Sequence, residues 1–129
     1  MDPGDISVER VLPIDGALLS EVLLRLRRDS PASVLRWTLG ELGSAEFDVS
    51  FASDGGGWTT GARIWNATGM AVTAASLTLE AIRPDEVRLT LEPTSLPVAM
   101  TAELAQAAVD ELAEELLWHA TRAGLTPRG

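Results

Sequence analysis

The chain has no cysteine, no lysine and no tyrosine, and a single histidine among 129 residues. Without cysteine there are no disulfides, no thiolate nucleophile and no Cys-based zinc or iron–sulfur site. Without lysine there is no side-chain amine for Schiff-base chemistry. One histidine supplies no ligand set for a metal, so metal and cofactor are both read as none. No apolar run reaches the 18 or more residues of a membrane-spanning helix. The opening residues Met1 to Asp5 lack the basic start and apolar core of a secretory leader, so a cytoplasmic location with no membrane insertion is expected.

Every basic residue is arginine, ten of them against 19 Asp and Glu, for a formal charge of −9. That balance argues against nucleic acid and anionic membrane surfaces, which are bound through cationic contacts to phosphate. Arg25, Arg27 and Arg28 form the one basic cluster and are read as a solvated helix end, where cations oppose the helix dipole. Wealth in Ala, Arg, Leu and Gly with no Lys matches a genome rich in G and C. The length and the 46% hydrophobic content suit one domain, residues 1–129, with its own core.

Alternation in Ile6 to Leu12 predicts a short strand before Pro13. Asp15 then stands as a helix N-cap, and Leu18, Leu19, Val22, Leu23 and Leu26 recur at helical spacing. A second helix is predicted from Ser30 as N-cap and Pro31 at the first turn to Gly43 as stop, with Val34, Leu35, Thr38, Leu39 and Leu42 on its apolar face and Trp37 off it. From Glu46 to Phe51 the period changes to two, placing Phe47, Val49 and Phe51 on one face of a strand.

Asp54-Gly55-Gly56-Gly57 follows. A phosphate-binding P-loop would need Gly-Lys-Ser/Thr after the spacing Gly56 to Gly61, where Ala62-Arg63 stands instead. A dinucleotide fingerprint would need a helix after the glycines, where Trp58 to Trp65 reads as strand. The glycines are therefore read as a hairpin turn, in which they adopt positive φ without a steric penalty. Asn66 to Gly69 is a turn into a long strand, Met70 to Ile82, whose change of parity predicts a bulge near Ala74-Ala75. Arg83 to Glu86 is a further hairpin turn, after which Val87, Leu89 and Leu91 face inward. Met100 to Ala123 is a long amphipathic helix with Ala105, Ala108, Val109, Leu112, Leu116, Ala120 and Ala123 on its apolar stripe. Asp110, Glu111, Glu114 and Glu115 form a solvated acidic margin.

The order strand, helices, antiparallel strands and long final helix is an α+β pattern. Carried by "ISVERVLPIDGALLSEVL", "DEVRLTLEP" and "AELAQAAVDELAEELLWHATRAG", it resembles the START-like, polyketide cyclase/dehydrase-like superfamily. That resemblance implies a curved antiparallel sheet gripping the last helix, with two short helices after the first strand. Members usually have six strands after the helix pair, whereas four are countable here, or five if Met70 to Ile82 breaks in two, so a reduced sheet is expected.

His119 falls within the final helix's apolar stripe, at about the azimuth between Ala108 and Leu112, and is expected to point toward the sheet. It is either a polar contact or base in a cavity, or a core histidine near a helix end; no Ser or Asp partner stands at a meaningful spacing, so no catalytic residue is assigned. Trp58 and Trp65, seven apart on one strand, point to opposite faces. Arg63 shares the parity of Trp65 and is expected to stack on it. Trp37 and Trp118, both off apolar stripes, are expected at the surface, as at a homodimer or partner interface. Three functions follow, in order of preference. The first is a domain that binds an apolar or aromatic small molecule between sheet and last helix, through His119, Trp58, Arg63, Trp65, Phe47, Phe51, Leu112 and Leu116. The second is an interaction module without a ligand, and the third a cyclase or dehydratase-type enzyme. The volume of the cavity discriminates among them.

Overall fold

The computed structural model describes residues 7–30, 32–69, 72–94 and 101–122. Along them run β1 (Val8–Leu12), a single 3-10 turn (Gly16–Leu18), α1 (Leu19–Asp29), β2 (Val34–Thr38), β3 (Gly43–Asp48), β4 (Ala52–Asp54), β5 (Gly57–Asn66), β6 (Val72–Arg83), β7 (Glu86–Pro93) and α2 (Ala102–Arg122). All strand pairs are antiparallel, in the order β1-β7-β6-β5-β3-β2, with β4 beside β5. The sheet is open, its free edges being β1 and β2. One helix, α2, approaches β1 and β7 on one side and β3 and β5 on the other, so the sheet bends around it. The fold is α+β, a curved antiparallel sheet holding a long C-terminal helix.

Register explains the core. Leu77 faces Leu91 and Thr60, Leu79 faces Leu89 and Trp58, and Ala75 faces Ala62, which in turn faces Phe47. In a pleated sheet these alternate positions share one face, and here that face is buried under α2. The helix presents Leu104, Ala105, Ala108, Val109, Leu112, Ala113, Leu116 and Ala120, all within 1% of full burial. Asp15 accepts a hydrogen bond from Ala17 N at 2.9 Å and caps the 3-10 turn that leads into α1. Leu19, Val22, Leu23 and Leu26 of α1 are buried at the helical spacing.

The segment predicted as a second helix is instead β2. Its residues alternate exposed and half-buried, with Leu35 and Trp37 turned inward opposite Phe47 and Ala45. Val34, Leu35, Thr38 and Leu39 satisfy either period over so short a run. Pairing with β3 decides the matter, by satisfying the backbone of an otherwise free strand edge and burying Leu35 and Trp37. Gly43 is thus not a helix stop but the first residue of β3; Pro31 lies outside the described residues. Six strands follow α1, and the sheet is not reduced.

Two smaller expectations also change. The β5–β6 ladder runs unbroken from Gly57↔Glu80 to Trp65↔Val72, with no bulge at Ala74-Ala75. Val72 is 49% exposed on the outer face, so parity never switches; Met70 lies outside the described residues. The irregularity falls between Ala81 and Arg83, beside the hairpin turn. The strand predicted through Phe51 ends at Asp48 and resumes as β4 at Ala52.

The β2–β3 turn needs glycine at two places. Gly40 has φ +61° and Gly43 φ +143°, and a Cβ on Gly43 would fall 2.1 Å from the carbonyl oxygen of Trp65. Gly43→Ala combines a backbone conformation that costs roughly 1–3 kcal/mol for an L side chain with a clash against backbone. A thermal melt followed by circular dichroism should show a midpoint lower by roughly 5–15 °C. Gly40→Ala, at a position with open space around the glycine, should lower it less.

Candidate ligand-binding cleft

The interruption between β3 and β4 organises the cleft. Phe47 pairs with Ala62 and Ala52 pairs with Thr59, so four residues, 48–51, span the distance that Thr60 and Gly61 cover on β5. Such an excess bends a strand and re-aims its side chains. Thr60, 8% exposed, donates its hydroxyl to the carbonyl of Asp48 at 3.0 Å, with the Ser50 carbonyl at 3.4 Å. Ser50 N donates to Asp48 Oδ1 at 2.8 Å, closing the short turn, and Val49 N donates to Ser33 O at 3.0 Å. The buried polar groups of this kink are therefore satisfied within the protein. Gly55 and Gly56, at φ +60° and +131°, then turn the chain so that Asp54 pairs with Gly57, as the glycine run predicts.

The kink leaves an open cleft against α1. Ser20, Glu21, Leu23, Leu24 and Arg27 line it from the helix, Val49, Ser50 and Phe51 from the kink and Trp58 from β5, around about 270 Å³. Trp58 and Phe51 are half-buried and pack on the core, and Leu24 is 53% exposed. The walls are largely apolar and aromatic, with two hydroxyls, a carboxylate and a guanidinium at the margins. That composition suits binding of a small organic molecule more than proton transfer.

The other sequence-predicted residues lie elsewhere. Phe47, Leu112 and Leu116 are at most 1% exposed and fill the interior between sheet and α2. Trp65 is on the outer face, opposite in direction to Trp58, as their spacing predicts. Its guanidinium partner is Arg36, 4.9 Å from the ring centroid, and not Arg63. Arg36 is carried there by β2 and is also paired with Glu46 at 3.0 Å. Arg63 is exposed on the same face, beside a shallow groove floored by Gly61. Trp37, expected outside, is half-buried against Phe47, with ring centroids 5.1 Å apart; both follow from its place on a strand.

His119 is buried at 4% exposure but faces the seam between the two helices. Its Nδ1 stands 3.6 Å from Asp29 Oδ2 at the end of α1, and its Nε2 3.4 Å from Glu115 Oε1 one turn earlier on α2. Trp118 packs edge-on against it at 4.8 Å. Of the acidic margin, Asp110 and Glu114 receive Arg10 from β1 at 3.2 and 3.6 Å, so part of it ties sheet to helix. Among the described residues no group of three or more His, Cys, Asp or Glu is placed to hold a metal ion, and no helix is long and apolar enough to cross a membrane.

Sequence reasoning missed Thr60, Leu24, Arg27 and Asp29. Asp48-Val49-Ser50 carried a usable signal, since Asp commonly caps its own backbone two residues on. The role of Asp29 had none, because it depends on how α1 meets α2.

No family model and no curated protein matches the chain. Among solved structures it is similar to the hypothetical protein jhp0584 from Helicobacter pylori, at 16% identity over 88% of this chain and 85% of that one, with a TM-score of 0.43. It is also similar to Ara h 8.0201, at 13% identity over 90% and 94%, with a TM-score of 0.42. Likenesses this distant assign no residue and no ligand.

Because His119 fills the helix seam between Asp29 and Glu115, His119→Ala leaves a void in buried packing and removes the contacts of its ring nitrogens with both carboxylates. The expected cost is about 2 kcal/mol, read as a lower urea midpoint. An unchanged midpoint would mean that the seam contributes nothing to stability.

Proposed function

We propose that the protein binds an apolar or aromatic small molecule in the cleft between α1 and the β3–β5 kink. The observation that supports this most is the meeting of Phe51, Trp58, Leu23 and Leu24 around one open volume. This cleft is preferred to the space between sheet and α2 because Phe47, Leu112 and Leu116 are at most 1% exposed there. Two of the eight sequence-predicted contacts, Phe51 and Trp58, belong to the site. Aromatic rings at the margin of a core supply large contact area with few rotatable bonds, so little entropy is lost on binding.

A neutral fluorophore, N-phenyl-1-naphthylamine, tests the proposal. Saturable enhancement of its emission at one equivalent is expected, with Trp58→Ala weakening affinity by about tenfold, the loss of roughly 1.4 kcal/mol of aromatic contact. Absence of saturation, or an affinity indifferent to Trp58→Ala, would refute it. Native mass spectrometry of freshly purified protein adds an independent reading of any retained small molecule.

A second proposal rests on Trp118, which is 51% exposed with Arg122 over its ring at 4.7 Å. An exposed tryptophan beside the shallow groove of Glu111, Glu114, Leu117 and Thr121 favours an interaction module, including a homodimer, docking through the outer side of α2. Sedimentation equilibrium at high concentration should then show a dimer that Trp118→Ala dissociates; a monomer throughout removes the homodimer.

A further inference from the structure

We infer that the cleft selects an aromatic carboxylate and that Arg27 receives its carboxylate group, an inference that rests on the cleft being a ligand site.

Three arginines lie in the second half of α1. Arg25 pairs with Glu21 at 3.3 Å and Arg28 with Asp29 at 3.6 Å. Arg27 makes no ion pair among the described residues, although its side chain lines the cleft. Glu21, which also lines the cleft, faces Arg25 Nε at 3.3 Å in an ion pair without a hydrogen bond, so that among the described residues Arg27 is the cleft-lining charge with no ion-pair partner. In a chain of net charge −9, an unpaired cation beside an apolar cavity is a local reversal of sign.

Helical geometry sets the shape of the ligand. Ser20, Leu23, Leu24 and Arg27 are spaced as one stripe of α1, with a hydroxyl at one end, leucines between and the guanidinium at the other. Seven residues of helix rise by about 10 Å. Phe51 and Trp58 line the same cleft as that stripe. A flat apolar body of one or two rings fits about 270 Å³, and a carboxylate at its end reaches Arg27. Guanidinium binds carboxylate through paired N–H donors of matching geometry.

The test compares two probes with the same rings, 2-naphthoate and the neutral 2-naphthalenemethanol, titrated calorimetrically into the full chain and into its Arg27→Gln and Trp58→Ala variants. Arg27 is exposed, and thermal melts verify that both variants fold. In the native chain naphthoate should bind about threefold tighter than the alcohol, as expected of one solvent-exposed ion pair. Arg27→Gln should bring naphthoate down to the affinity of the alcohol in the same variant, abolishing the preference, whereas Trp58→Ala should weaken both probes and keep it. Equal affinity for both probes in the native chain, or a preference that survives Arg27→Gln, overturns the anion selectivity and leaves the cleft standing. Binding of neither probe, or indifference of both to Trp58→Ala, overturns the cleft itself.

Discussion

Close approach of α2 to the concave face of the sheet is the constraint on which the remaining geometry depends. Ala105, Ala108, Ala113 and Ala120 on the helix and Ala45, Ala62 and Ala75 on the strands are buried together with the larger residues around them. Small side chains at the centre of a helix–sheet contact let backbones come near, and Leu, Ile and Phe then complete a close-packed interior. In an interior filled in this way Phe47, Leu112 and Leu116 are at most 1% exposed. Open space is displaced to the margin, where α1 and the interrupted strand stand against each other.

The kink at residues 48–51 links fold to site. A continuous strand from Gly43 to Asp54 would follow the regular pleat and keep Val49 and Phe51 in register with β5. With the two-residue excess, held by the Thr60 hydroxyl and by the turn at Asp48, Val49 stays in the core, as its parity with Phe47 implies, and Phe51 comes to the lip of the cleft. Trp58 reaches the same place from the hairpin that the glycines make possible. The glycine run therefore serves the site indirectly, by returning β5 so that its first inward residue is a tryptophan.

Electrostatics are organised by arginine alone. Arg10 spans from β1 to Asp110 and Glu114 on α2, tying the sheet's edge to the helix that it wraps. Arg36 and Arg122 lie over Trp65 and Trp118. A planar guanidinium can pair with a carboxylate at its edge and stack through its face, which an ammonium cannot do. Arg36 does both, holding Glu46 and covering Trp65. These contacts are exposed and individually weak; what they fix is position more than stability.

Much of the fold was legible before any coordinates. Strict alternation in Val87, Leu89 and Leu91, helical spacing in Leu19, Val22, Leu23 and Leu26, and the alanine-rich stripe of α2 each admit one period, and each became the element that its period implies. The opposed directions of Trp58 and Trp65 followed from parity alone. Val34 to Thr38 was not legible, because five residues of mixed period fit a helix or a strand equally and only the edge of β3 chose between them. Of the cleft's lining, Phe51 and Trp58 were singled out by the sequence and the α1 residues were not. Sequence by itself determined which residues are inward and aromatic, because side-chain direction follows from local periodicity. Only the tertiary structure decided which inward residues are packed solid and which border open space, where His119 points and which arginine of α1 pairs with no carboxylate among the described residues. Those properties belong to distances between elements, which local periodicity does not contain.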